Sequence, residues 1–279
     1  YKWAQKGVVI NKVVCKIDAN QSYCLYLPTN YDINKTYPVI YAFDPHGNGG
    51  IPVALMKNAA EKLGFIIIGS NNSRNGLRSD ELNRIVNSLL SDTQQKISVD
   101  PRKIYTAGFS GGARVACMVA QSIGGVKGVI ACSAGFQADG SPLGFRYIGI
   151  AGSQDMNYLE VKQISDYLES SNQPHQLLVF NGKHQWPPES TISEAMVNLR
   201  LYAMKDSSVL IDQRIVEEYL IMNSNRVNAL KGNISPDSLA LAYAIAKRTC
   251  QVVDGLTNVE NLKSNIEELS KNPILQQLF

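Results

Sequence analysis

Gly108-Phe109-Ser110-Gly111-Gly112 reads as G-x-S-x-G. An apolar run, Lys103 to Ala107, leads into it, and a helical run of small residues, Ala113 to Ala120, leads out. A serine on a sharp strand-to-helix turn has its hydroxyl exposed and the next backbone N–H aimed at the same space, the arrangement of a nucleophile elbow. The glycines suit a strained turn crowded by neighbouring segments. With Gly at about 7% of residues, five residues of this form arise by chance in roughly one chain in ten of this length. The strand-before, helix-after setting therefore carries the reading.

A serine hydroxyl attacks poorly without a base, and the base needs an acid to orient it. The chain has three histidines. His184 lies in the loop Asn181-Gly182-Lys183-His184-Gln185-Trp186-Pro187, after the apolar run Gln176–Phe180. In an open parallel sheet, chemistry sits at the carboxyl ends of the strands. That places His184 at the right edge and His175, which precedes the same run, at the wrong one. His46 also follows a strand-like run and stays in contention. Asp155 closes Ala151-Gly152-Ser153-Gln154-Asp155, directly after the run Tyr147–Ala151. It is read either as the orienting acid or as the cap of the helix that follows. Asp139, after the preceding run, is the rival acid.

Eight apolar, β-branched runs must position these groups: Val8–Cys15, Tyr23–Leu27, Val39–Phe43, Phe65–Ile68, Lys103–Ala107, Val126–Ala131, Tyr147–Ala151 and Gln176–Phe180. Helical spacing falls between them over Pro52–Leu63, Ser79–Gln95, Gly112–Ser122, Tyr158–Ser170 and Glu189–Met204. Alternating strands and helices, with nearly continuous apolar strands, predict a mostly parallel sheet covered on both faces. The first two runs read as an antiparallel hairpin. The connection from Ala131 to Tyr147 is too short and Gly/Pro-rich for a helical lid. From Asp206 onward no strand-like run occurs, and about three helices are expected, one starting at Ser235-Pro236 with Ser as N-cap and Pro at the first position. The division is therefore a catalytic α/β domain over 1–205 and an all-helical extension over 206–279. The extension is read either as a packed appendage or as a dimerising or partner-binding module.

At 279 residues, 44% hydrophobic and 18% charged, the chain can bury a large core. A net charge of +3 argues against nucleic acid as a partner, and no apolar run reaches membrane-span length. The five cysteines have no metal-ligand spacing. Cys15 and Cys24 flank a turn and are candidates for a disulfide across a hairpin, which would imply an oxidising compartment. The numbered chain starts at Tyr1 and is read as a trimmed form, so a missing export signal says little; export to the periplasm, cell surface or medium is the expectation.

The region from about Tyr23 to Met204 resembles the alpha/beta-hydrolase superfamily, in which the order nucleophile, acid, base is that of Ser110, Asp155 and His184. Tyr23-Cys24-Leu25-Tyr26-Leu27-Pro28 with Tyr37-Pro38 is similar to the opening of the polyhydroxybutyrate-depolymerase-like and feruloyl-esterase-like branch. Gly182-Lys183-His184-Gln185-Trp186-Pro187 is similar to that branch's histidine loop. The resemblance implies a serine esterase acting through an acyl-enzyme, with no cofactor and no metal. Its substrate would be a small-molecule or polysaccharide-linked ester, short-acyl, feruloyl or acetyl. It also implies an oxyanion hole with the Gly111 N–H as one donor. The second comes from the loop after Val39–Phe43, in one of two registers: the N–H of His46, counting from Tyr37-Pro38, or that of Asn48, reading His46-Gly47-Asn48 as the family's His-Gly-x. Pro45 has no N–H to give. Asn71 and Asn72, in a polar loop at the same edge, are read as substrate-binding or as a solvated turn. Trp186 is read as stacking on a ring substrate or as packing its loop. Two other functions stay open: a serine peptidase on the same scaffold, and a binding module of hydrolase fold without chemistry.

Overall fold

The computed structural model describes residues 5–138, 140–233 and 235–276. They fall into two compact units that divide between Met196 and Val197.

In the first unit eight strands form one sheet: β1 (Val9–Val14), β2 (Ser22–Tyr26), β3 (Tyr37–Phe43), β4 (Ile66–Ser70), β5 (Val99–Phe109), β6 (Val126–Cys132), β7 (Arg146–Gly152) and β8 (His175–Phe180). Their order is β1-β2-β4-β3-β5-β6-β7-β8. β2 runs antiparallel to β1 and to β4; every later pair is parallel. Parallel strands need crossovers, supplied by α1 (Gly50–Leu63), α2 (Ser79–Lys96), α3 (Gly111–Ser122) and α4 (Tyr158–Ser170), with α5 (Glu189–Lys205) following β8.

Alternation explains why both faces are covered. Val39, Tyr41 and Phe43 of β3 and Ile66 and Ile68 of β4 join one core with Val86 and Leu89 of α2, Ala113 and Ala116 of α3, and Ile164 and Leu168 of α4. The intervening Ile40, Ala42 and Ile67 are equally buried but point the other way. On that side Tyr26 donates its hydroxyl to Glu61 of α1.

β5 begins four residues before the apolar run that announces it. Asp100, Pro101 and Arg102 mask its start in the sequence. The buried Asp100 carboxylate is held by Lys103 (2.9 Å) and by the Arg102 N–H (3.0 Å). Burial opposes its charge, but these bonds outweigh that and bring the carboxyl down to about 2.

Cys15 and Cys24 are not bonded to each other; both thiols are free and buried. Cys15 shares a core with Tyr23 and Leu25, and Cys24, between those two residues on β2, points to the opposite face of the sheet. The segment between β6 and β7 carries no helix among its described residues.

The second unit is helical: α6 (Gln213–Lys231), α7 (Pro236–Val253), α8 (Glu260–Ser270) and the short α9 (Pro273–Gln276). Ser235 caps α7 by accepting the Ser238 N–H (3.2 Å), and Asp212 caps α6 through the Arg214 N–H (3.1 Å). Val216, Tyr219 and Val227 of α6, Leu239, Ala242, Ala246 and Val253 of α7, and Leu262 and Leu269 of α8 are buried at helical spacing. The division between units falls inside α5, between Met196 and Val197. A boundary read from composition lands instead near residue 205, where that helix ends.

Candidate active site

Ser110 occupies the single residue between β5 and α3. Its backbone, at φ 52° and ψ −122°, is one that an L-residue adopts only under constraint. Constraint comes from both sides. The Ser110 N–H donates to Cys132 O at the end of β6 (2.8 Å), and Ser110 O accepts the Ala113 N–H (3.0 Å). A Cβ on Gly108 would stand 2.1 Å from Gly112 O, and one on Gly112 would stand 2.1 Å from Phe43 O. Both glycines are required by backbone contact rather than by their own dihedral angles.

His184 reaches the elbow from the loop after β8. Its Nε2 lies 3.0 Å from Ser110 Oγ and its Nδ1 lies 2.8 Å from Asp155 Oδ1. An ionised carboxylate only accepts, so Nδ1 carries the proton and Nε2 faces the hydroxyl as an acceptor. Phe109 packs beneath the imidazole, ring centroids 4.9 Å apart, and also against Trp186 at 5.6 Å.

Asp155 sits in the turn after β7, its side chain wholly buried while that of His184 is partly open. Oδ1 also accepts the Asn157 N–H (2.8 Å). Oδ2 has no hydrogen-bond partner among the described residues, and the Ser133 hydroxyl near the carboxylate favours its charge. Burial pushes the carboxyl up, but Ser133, the Asn157 N–H and His184 together outweigh burial and hold it below the ordinary carboxylate value. Ser133 is itself at φ 59°, and its carbonyl accepts from Asn157 Nδ2 (2.8 Å). Ser133 and Asn157 thus brace the acid. No sequence signal distinguishes them from other loop residues.

The other histidines lie elsewhere. His46 has a side chain 83% exposed. His175 is buried at the start of β8, bonded to Ser165 Oγ and Gln173 O (both 2.9 Å). Asp139, the rival acid, lies outside the described residues.

The loop after β3 is organised by Asp44, whose carboxylate is buried. Asp44 Oδ1 accepts the N–H of His46 (2.9 Å) and that of Asn48 (3.3 Å), and Asp44 O accepts that of Gly47 (3.1 Å). Both alternatives for the second oxyanion donor, the N–H groups of His46 and Asn48, are therefore bonded within the loop. A buried side-chain acceptor inside the loop holds them. Asp44 Oδ2 accepts Trp186 Nε1 (2.9 Å). Trp186 thus ties the His184 loop to the β3 loop, with its ring on Phe109. Asn71 and Asn72 are tied to the β1–β2 hairpin: Asn71 Nδ2 donates to Asn11 O (3.1 Å), Asn72 Oδ1 accepts the Ser22 N–H (2.8 Å) and Asn72 Nδ2 donates to Asn20 O (3.1 Å).

Chemically, the arrangement offers a hydroxyl facing a basic nitrogen, a buried carboxylate behind that nitrogen, and the Gly111 N–H beside the hydroxyl. No group of three or more His, Cys, Asp or Glu side chains suited to a metal occurs among the described residues, and no helix there is long and apolar enough to cross a membrane.

No family model and no curated protein matches the chain. Solved structures do. The S-formylglutathione hydrolase of Staphylococcus aureus aligns with a TM-score of 0.53 and 13% identity, over 69% of this chain and 95% of that one. The feruloyl esterase module of Clostridium thermocellum aligns at 0.52 and 17%, over 67% and 84%. An esterase of Pyrobaculum calidifontis aligns at 0.55 and 12%, over 71% and 87%. With the strand order and crossovers above, these likenesses identify the alpha/beta-hydrolase fold.

Proposed function

We propose that this protein is a serine hydrolase that cleaves carboxylic esters through an acyl-enzyme. One observation carries the reading: His184 stands between Ser110 Oγ, at 3.0 Å, and Asp155 Oδ1, at 2.8 Å. In this mechanism Ser110 Oγ attacks the ester carbonyl carbon as His184 Nε2 takes its proton. Negative charge collects on the carbonyl oxygen beside the Gly111 N–H, and Asp155 stabilises the imidazolium. Collapse of the tetrahedral adduct breaks the C–O bond, and the leaving alkoxide takes the proton from His184. Water then gives a proton to the same nitrogen and attacks the acyl-serine. The acid forms and the proton returns to Ser110.

The substrate class proposed is a short-acyl, feruloyl or acetyl ester, free or attached to polysaccharide, in an exported setting. Support for an ester comes from the esterase and feruloyl esterase names among the structural neighbours and from the opening and histidine-loop motifs. The helical unit contributes no residue to this mechanism.

Purified protein should hydrolyse p-nitrophenyl acetate, and Ser110→Ala should lower kcat/KM by at least about a thousandfold. Equal turnover by wild type and variant would refute the mechanism.

A further inference from the structure

The loop after β4 places Asn75 directly over the elbow. Its N–H donates to Pro45 O (2.8 Å), and the adjacent Arg74 bridges to His46, so the two loops are strapped together. The carboxamide lies against Gly111: a Cβ on that glycine would stand 1.8 Å from Asn75 Oδ1 and 3.3 Å from its Nδ2. No other glycine of the elbow is crowded by a side chain; Gly108 and Gly112 meet backbone. Meanwhile the backbone N–H groups of His46, Gly47 and Asn48 all donate to Asp44, and Pro45 has none. From Pro45 to Asn48 the loop that would supply a second oxyanion donor has no N–H to spare, yet a flexible side-chain amide with two N–H groups sits beside the first donor.

We infer that the Asn75 carboxamide is the second oxyanion donor, its Nδ2 turning toward the substrate carbonyl oxygen as charge builds beside the Gly111 N–H. The inference rests on the esterase reading above. Asn75 is exposed, so it is open to substrate, and half-turn rotation of a terminal amide is a soft motion. A side-chain donor also accounts for the glycine at 111: any Cβ there would occupy the position of the amide.

Two variants test this in the full chain with p-nitrophenyl acetate. Asn75→Ala removes the amide and keeps the backbone N–H that straps the loops. Gly111→Ala keeps the first donor and evicts the amide, meeting only the end of a flexible side chain. Each is expected to lower kcat by about a hundredfold, the effect of losing one oxyanion donor, with KM within about threefold and the circular dichroism spectrum unchanged. The double variant should be no slower than the slower single variant, because both remove the same group. Asn75→Ala turning over within about threefold of wild type overturns the inference while leaving the esterase reading intact. Multiplicative losses in the double variant overturn it too, since the methyl group added at position 111 would then act independently of Asn75. A wild-type protein without ester turnover overturns both readings.

Discussion

Asp155→Asn is isosteric, and its consequence follows from how many donors each carboxylate oxygen receives. Oδ1 accepts two N–H groups, from His184 Nδ1 and from Asn157, both at 2.8 Å. Oδ2 accepts none among the described residues. An asparagine oxygen therefore belongs at the Oδ1 position, where it keeps both bonds. Its Nδ2 then takes the place of Oδ2, where no donor is displaced. His184 retains its Nδ1 proton, and Nε2 stays free to take the serine's. What is lost is the negative charge opposite the imidazolium. At about 4 Å between charge centres and an effective dielectric near 20, that attraction is about 4 kcal/mol. Residual dipole attraction from the amide returns part of it, leaving about 3 kcal/mol, or roughly two orders of magnitude in rate. The assay is kcat for p-nitrophenyl acetate at a pH where wild type is maximal. A loss of less than about tenfold would refute the role of the charge; a loss of about ten-thousandfold, the result of an inverted tautomer, would refute the donor count.

Gly112→Ala should destabilise the protein by about 1–3 kcal/mol in urea titrations, because its Cβ meets backbone at Phe43 O rather than a movable side chain; stability equal to wild type would show that the elbow relaxes freely. Trp186→Phe leaves Asp44 Oδ2 buried without its donor and should cost about 1–3 kcal/mol, read as a lower unfolding midpoint. The Asp100 carboxyl is depressed from 3.8 to about 2 in the folded protein. Its stabilisation is complete above pH 3.8 and disappears as pH falls through about 2. Asp100→Asn should therefore lower stability by about 2 kcal/mol at neutral pH, and the gap from wild type should close toward pH 2.

The strands with continuous apolar runs, β3, β4 and β7, are legible because burial on both faces leaves no room for polar interruption. The start of β5 is not, since Asp100-Pro101-Arg102 reads as a turn until tertiary partners hold Asp100. Ser110, Asp155 and His184 can be assembled from sequence because each lies just beyond the carboxyl end of a strand, where local pattern fixes position. Asn75 and Asp44 are different. Asn75 is one polar residue among several in its loop, and only the bond to Pro45 O and the contact with Gly111 single it out. Asp44 interrupts the expected His-Gly-x, but its effect on the N–H groups of His46 and Asn48 depends on a side-chain rotamer that no pattern encodes. Asn71 and Asn72 show the converse. Their composition suggests binding, while their hydrogen bonds lead to the β1–β2 hairpin.

In the proposed mechanism Ser110 is a nucleophile activated by His184. A fluorophosphonate probe followed by peptide mass spectrometry tests this activation, because the adduct marks the reacting atom whatever the natural ester. A single adduct is expected on Ser110 in the wild-type protein and none in His184→Ala over the same interval. An unlabelled wild type, or an adduct on any other residue, would contradict it.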